Sequence, residues 1–147
     1  MNTSAFYQIN IATNADSLAT WLLPLLQSTL IEQKIVVHFQ VDDQSQTHHL
    51  LEAGLVNACV TDESQAMKGC VAEYIGDMNY RFVATPTFAQ QWFDQDVNRE
   101  SLRAAPALIF NAKDQLHTAY IQQKFGLKPT QYPHHFIPSS SAFFDAV

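Results

Sequence analysis

Apolar and polar residues alternate along YQINIAT (7–13), which puts Ile9 and Ile11 on one face and predicts a first strand. The pattern then changes. NADSLATWLLPLL (14–26) starts polar and turns almost wholly apolar, predicting a helix to about residue 31. Alternation returns in KIVVHFQV (34–41), with Ile35, Val37, Phe39 and Val41 on one side. DDQSQTHHLLEAG (42–54) reads as a helix stopped by Gly54, and LVNACVT (55–61) as a strand buried on both faces. Strand, helix, strand, helix, strand predicts a right-handed parallel α/β unit. GCVAEYI (69–75) and YRFVAT (80–85) read as two more strands, ended by Thr85-Pro86.

The second half repeats this style on a smaller scale. PTFAQQWF and ESLRAA read as short helices and PALIFN (106–111) as a strand. KDQLHTAYIQQKFG (113–126) reads as a helix with Gly126 as its stop, and HHFIPSS (134–140) as a strand. SSSAFFDAV begins a last helix at its serines and ends after about two turns, so a cut inside an element is expected. The linker candidate is 84–86. It divides the chain into an extension (1–6), a first lobe (7–85) and part of a second lobe (86–147).

The first helix is too apolar for a surface helix. Leu18, Leu22, Leu25 and Leu26 are expected to face the sheet, which leaves Trp21, Leu23 and Leu30 on other sides. In a chain this short, a second subunit is the expected cover. Pro24 removes one helical hydrogen bond, at about 3 kcal/mol in isolation, and packing must offset that.

Composition narrows the function. Across 147 residues, 47% hydrophobic and 15% charged, the chain can build a real core and is not disordered. The net charge is −6 with eight Lys and Arg and no basic run, which argues against direct nucleic-acid binding. Cys59 and Cys70 match no zinc or CxxC spacing and read as buried free thiols of a cytosolic protein. No signal peptide or membrane span is predicted. Four glycines leave no phosphate-binding glycine loop.

Ligands of open α/β sheets sit outside the carboxyl ends of the strands. The helix after the first strand starts near Asp16 and Ser17, where main-chain N–H groups favour an anion such as a ligand carboxylate, with Ser17 or Asn14 adding a donor. The alternative is that Asn14 or Asp16 is a plain N-cap. Asp42 and Asp43 follow the second strand at the same edge and suit a ligand cation. They also suit an N-cap and a solvated neighbour, and no partner base sits at a spacing that suggests acid–base catalysis. His48-His49 and His134-His135 cannot chelate locally, because adjacent side chains diverge on a helix or strand. Ser139 to Ser141 form a helix start rather than a nucleophile elbow. No active site, metal site or cofactor is expected.

NADSLATWLLPLL after an alternating strand, followed by FQVDDQSQTHHLLEAGLVNACVT, resembles the effector-binding domain of LysR-type transcriptional regulators. The nearest branch is the one that regulates arginine export and responds to lysine and arginine. GCVAEYIGDMNYRFVATPTFAQQWF, APALIFNAKD and IPSSSAFFDAV agree, so the resemblance covers the chain from about Tyr7. It implies an α/β fold of the type II periplasmic-binding-protein class, with two lobes of mostly parallel sheets. The family's winged helix-turn-helix and C-terminal part would lie outside this chain, the latter being roughly a third of an ordinary two-lobed domain. DNA would be met only through that helix-turn-helix. The resemblance implies a small effector between the lobes, contacted at Asn14, Asp16, Ser17, Thr61, Thr85, Ser139, Ser140 and Ser141. Asp42 is added on charge, because a basic amino acid needs an acidic partner. It also implies a homodimer through the first helix and the next strand, at Trp21, Leu23, Leu30, Val36 and His38. The reading is therefore a cytoplasmic, non-enzymatic sensor of lysine or arginine. The alternatives are a free-standing amino-acid-binding protein, a dimerising fragment without sensing, and a small α/β enzyme using Asp42 or a serine.

Overall fold

The structure is a computed structural model that describes residues 5–147, so most of the expected extension 1–6 lies outside the described residues. The chain divides into two compact units, Met1–Gly76 and Asp77–Val147. The boundary expected at 84–86 falls further along than this division. Phe82 shows why: its ring packs on His117 and Tyr120 of the second unit.

The first unit is built on β1 (Tyr7–Thr13), which pairs in parallel with β2 (Ile35–Val41) on one edge and β3 (Ala58–Cys59) on the other. The β1–β2 register runs from Tyr7↔Ile35 to Thr13↔Val41. Ile35, Val37 and Phe39 are half-buried and Val36, His38 and Gln40 exposed, as the alternation predicts, but Val41 at the strand end is exposed. The strand expected over 55–61 shrinks to two ladder residues, and it is not buried on both faces. Asn57 is the reason. Its side-chain Oδ1 accepts from Asn10 N (2.8 Å) while its own N donates to Asn10 O (2.8 Å), so a side chain replaces a ladder carbonyl.

One helical run covers this sheet in three parts: α1 (Ala15–Ser17), a π-helical turn (Leu18–Leu22) and α2 (Leu23–Glu32). Pro24 cannot donate to the Thr20 carbonyl, and its ring crowds that group. The wider turn just before it relieves this crowding. Widening by one residue also rotates the rest of the helix about its axis. The inward row becomes Leu18, Leu22, Leu26 and Leu30, four apart, with Leu22 buried and the others half-buried. Leu25, expected against the sheet, is 68% exposed as a result.

The helix expected over 42–54 is confined to α3 (Thr47–Glu52), because a turn fills 43–46. In that turn Gln46 N donates to Asp43 O (2.8 Å) and Ser45 N to the Asp43 carboxylate (3.0 Å). Gly54 ends it at φ 72, a conformation that costs residues with a Cβ. The two strands expected over 69–75 and 80–85 do not form. A strand needs a partner ladder, and among the described residues none pairs with 69–85. Its apolar side chains are exposed, Val71 at 95%.

In the second unit β4 (Ala107–Ile109) pairs in parallel with β5 (His134–Phe136). Helices α4 (Pro86–Phe93), α5 (Arg99–Ala104), α6 (Leu116–Phe125) and α7 (Ser140–Ala146) fall where the periodicity predicts. Asn98 and Ser101 cap α5 reciprocally, and Gly126 (φ 66) ends α6. The core is Ile109, Ile121, Leu127 and Tyr132, with Leu102, Ala107 and Phe125 packed around it. No helix among the described residues is long and apolar enough to cross a membrane.

Ile121 is 2% exposed at the centre of this core, so Ile121→Ala is expected to destabilise the second unit by about 2–5 kcal/mol, read as a lower urea midpoint.

Candidate functional site

Three parallel strands end at one edge of the first sheet, and polar residues cluster there. Thr13, Asn14, Ser17, Asp43 and Thr47 are all buried. Buried polar groups must be satisfied, and here the neighbouring strand ends and the turn before α3 supply partners. The Asp42 N–H donates to Thr13 O (3.1 Å), which joins the ends of β2 and β1. Thr47 Oγ1 donates to Val60 O (2.5 Å), which ties α3 to the end of β3. The Gln44 carbonyl accepts from Thr61 Oγ1 (3.3 Å) and Asp62 N (3.4 Å), and its side chain accepts from Asn14 Nδ2 (3.5 Å).

Asn14, Asp16, Ser17, Asp42 and Thr61 thus stand at one edge. Asn14 (5% exposed) has the extended backbone of an N-cap, but its side chain caps no first-turn N–H and reaches across to Gln44 instead. Ser17 is 2% exposed in the first turn. Asp42 is half-buried, and its Oδ1 accepts from Asp43 N (2.9 Å). Asp43 is the more committed of the pair, since its carboxylate accepts from both Ser45 N (3.0 Å) and Ser45 Oγ (2.6 Å). Asp43 thus closes the turn before α3 rather than serving as the N-cap that the sequence offered, a position Gln46 occupies. Thr61 Oγ1 also accepts from Glu63 N (3.1 Å).

Thr13, Gln44 and Thr47 escaped the sequence reading. Their role lies in contacts 13 to 30 residues away in sequence, such as Thr47 with Val60 and Asn14 with Gln44, and no local spacing signals those.

In the second unit, Thr85 and Ser139 are exposed N-caps. Thr85 Oγ1 accepts from Phe88 N (3.2 Å) and Ser139 Oγ from Ala142 N (3.3 Å). Ser141 Oγ lies 3.3 Å from Ser139 Oγ, and Ser140 opens α7. A hydroxyl that accepts from a helix N–H keeps its proton to donate elsewhere. Of the expected dimer residues, Leu23, Val36 and His38 are exposed and Trp21 and Leu30 half-buried. His38 Nδ1 lies 3.1 Å from Gln8 Nε2 across the β1–β2 pair.

Charge is unevenly shared. Met1–Gly76 holds eight acidic residues against Lys34 and Lys68, while the rest holds six of each sign, so the whole net charge of −6 belongs to the first unit. Cys59 and Cys70 are free and half-buried rather than buried. Burial first, and Cys70 second, push the Cys59 thiol above its ordinary range, so it is mostly protonated at neutral pH. His48 and His49 stack at 4.0 Å, and His49 lies 3.5 Å from Glu52. Among the described residues no group of three or more His, Cys, Asp or Glu is placed to hold a metal.

Similarity to known proteins points the same way. The HTH-type transcriptional regulator ArgP of Pectobacterium atrosepticum is 44% identical over 135 residues, covering 92% of this chain and 46% of the relative. The chain therefore spans less than half the length of that relative. The C-terminal domains of a LysR family protein from Agrobacterium tumefaciens superpose with a TM-score of 0.86 at 36% identity, over 95% of this chain and 67% of that one. Full-length LysG from Corynebacterium glutamicum with bound effector Arg superposes with a TM-score of 0.82 at 26% identity, over 99% of this chain and 49% of LysG. No protein-family model matches.

Thr47 at the start of α3 and Thr61 beyond the end of β3 should differ in weight. Thr47→Val leaves the Val60 carbonyl without its hydroxyl donor inside a fully buried position and is expected to cost about 1–3 kcal/mol in urea unfolding. Thr61→Val, at a half-buried position with a longer bond, is expected to cost less.

Proposed function

The chain belongs to the LysR family of transcriptional regulators, and on that premise we propose that it is the effector-binding and dimerisation domain of such a regulator, with arginine or lysine as effector. One observation carries this reading. The start of the first helix, with Asn14 and Ser17 buried, lies at the same sheet edge as Asp42, in the unit that holds all the net negative charge. The effector's α-carboxylate sits at the helix start, where N–H dipoles favour an anion. Its side-chain cation pairs with Asp42, and Asp16 and Thr61 complete the first unit's contacts. Thr85 and Ser139 to Ser141 enter the proposal through their family positions. The likeness to LysG with bound effector Arg supports arginine in particular.

The effector acts by differential affinity for two arrangements of the regulator, since equal affinity shifts nothing. DNA contact belongs to the helix-turn-helix part for which the longer relatives are named. The protein works in the cytoplasm and catalyses nothing. The homodimer forms through the first helix and β2, where Leu23, Leu25, Ile31 and Val36 are exposed.

Isothermal titration calorimetry is expected to show binding of L-arginine or L-lysine and none of L-glutamate. Asp42→Asn is expected to weaken it at least tenfold, about 1.4 kcal/mol. No heat with either basic amino acid would defeat the reading, and unchanged affinity in Asp42→Asn would remove Asp42 from it. For the dimer, sedimentation velocity is expected to give two subunits for the parent chain and one for Val36→Glu.

A further inference from the structure

We propose that His117 is a pH-sensitive latch. It holds the stretch that opens the second unit, residues 77–85, through the ring of Phe82, and releases it when the imidazole is protonated. The Phe82 ring lies 4.9 Å from that of His117 and 4.7 Å from that of Tyr120. His117 and Tyr120 are three apart on α6 and so share a face. His117 also meets Tyr132 at 5.8 Å, Tyr132 meets His134 at 5.9 Å, and His134 meets Phe136 at 5.0 Å. Tyr132 is 6% exposed and belongs to the core. His117 therefore touches one ring fixed in the core, Tyr132, and one half-exposed ring, Phe82.

The charges around it are few. The chain entering β5 brings Tyr132 and His134. Helix α6 brings Tyr120, whose hydroxyl accepts from Lys124 Nζ (3.0 Å), with Asp114 at its start accepting from Leu116 N (3.0 Å). The 77–85 stretch brings Phe82 and, at exposed positions, Asp77 and Arg81. The charge that bears on His117 is that of His134, which has the same sign. Burial first, and His134 second, hold the His117 imidazole below the ordinary histidine range. Its Nδ1 is buried without a hydrogen-bond partner, so the charged ring has to reach water.

Phe82 is the easiest of these rings to move. Tyr132 is locked in the core and Tyr120 in a helix, whereas 77–85 is held by no strand ladder. Attraction between an imidazolium and an aromatic face opposes release. Burial and the like charge of His134 act the other way. The closed latch therefore keeps its full advantage above about pH 6.5 and loses it as the pH falls below that toward the folded value.

NMR on the 147-residue chain tests this. The nuclear Overhauser contact between the Phe82 and Tyr120 rings and the His117 Cε1–H shift are followed together from pH 7.5 to 5. The ring contact is expected to fade severalfold with the same midpoint as the His117 shift. His117→Phe, which stays aromatic and cannot charge, is expected to keep the contact to pH 5. His134→Phe removes the repulsion and is expected to raise the midpoint. A contact that survives full protonation of His117 in the parent chain overturns the latch, as does a fade whose midpoint differs from that of the His117 shift. Loss of the contact on the same pH curve in His117→Phe overturns it too. If that variant fails to fold, the comparison of midpoints in the parent chain decides alone.

Discussion

The ladder that β1 makes on both of its edges is the constraint on which the first unit depends. β1 gives one edge to β2 over seven residues and the other to β3 over two, both in parallel. Parallel pairing sends every strand the same way, so Thr13-Asn14, Asp42-Asp43 and Val60-Thr61 arrive together at one edge. It also demands a crossover between strands, and that crossover is the apolar helix that covers the sheet. The polar edge and the helix start that opens on it are two results of one pairing pattern. The buried hydroxyls and amides then pin the three ends to one another, because each would lose its water with nothing in return if left unpaired.

Pro24 shapes the same helix in a less expected way. A proline in mid-helix usually reads as a defect. Here it is preceded by a π-helical turn, and the inward row is spaced by fours, with Leu25 turned outward. Leu25, which the sequence placed against the sheet, is thus on the outer face, while Leu30, expected elsewhere, joins the inward row. In the proposed homodimer a second copy of the chain covers that face, and the helix is then apolar on more than one side because it is buried on more than one side.

The two units differ in electrical character. The first is acidic and gathers its buried polar groups at strand ends. The second carries no net charge, and its candidate positions Thr85 and Ser139 are capping hydroxyls. An acidic sheet edge favours a cation in the first unit, while the capping hydroxyls of the second are neutral.

Most of the architecture was legible in the sequence because it is local. Strand β1, strand β2, the helices of the second unit, and the stops at Gly54 and Gly126 follow from periodicity of two or 3.6 and from the backbone freedom of glycine. The family resemblance added the fold class and the candidate positions. Tertiary structure decided what depends on distant partners. The strands expected over 69–75 and 80–85 have the right alternation and no ladder to join, while Asn57 cuts β3 short by bonding to Asn10. Gln44, Thr13 and Thr47 became part of the polar edge only when the chain brought them to residues far away in sequence. A hydrophobic pattern encodes which face of an element is buried, and it carries no record of which backbone group will meet which across a fold.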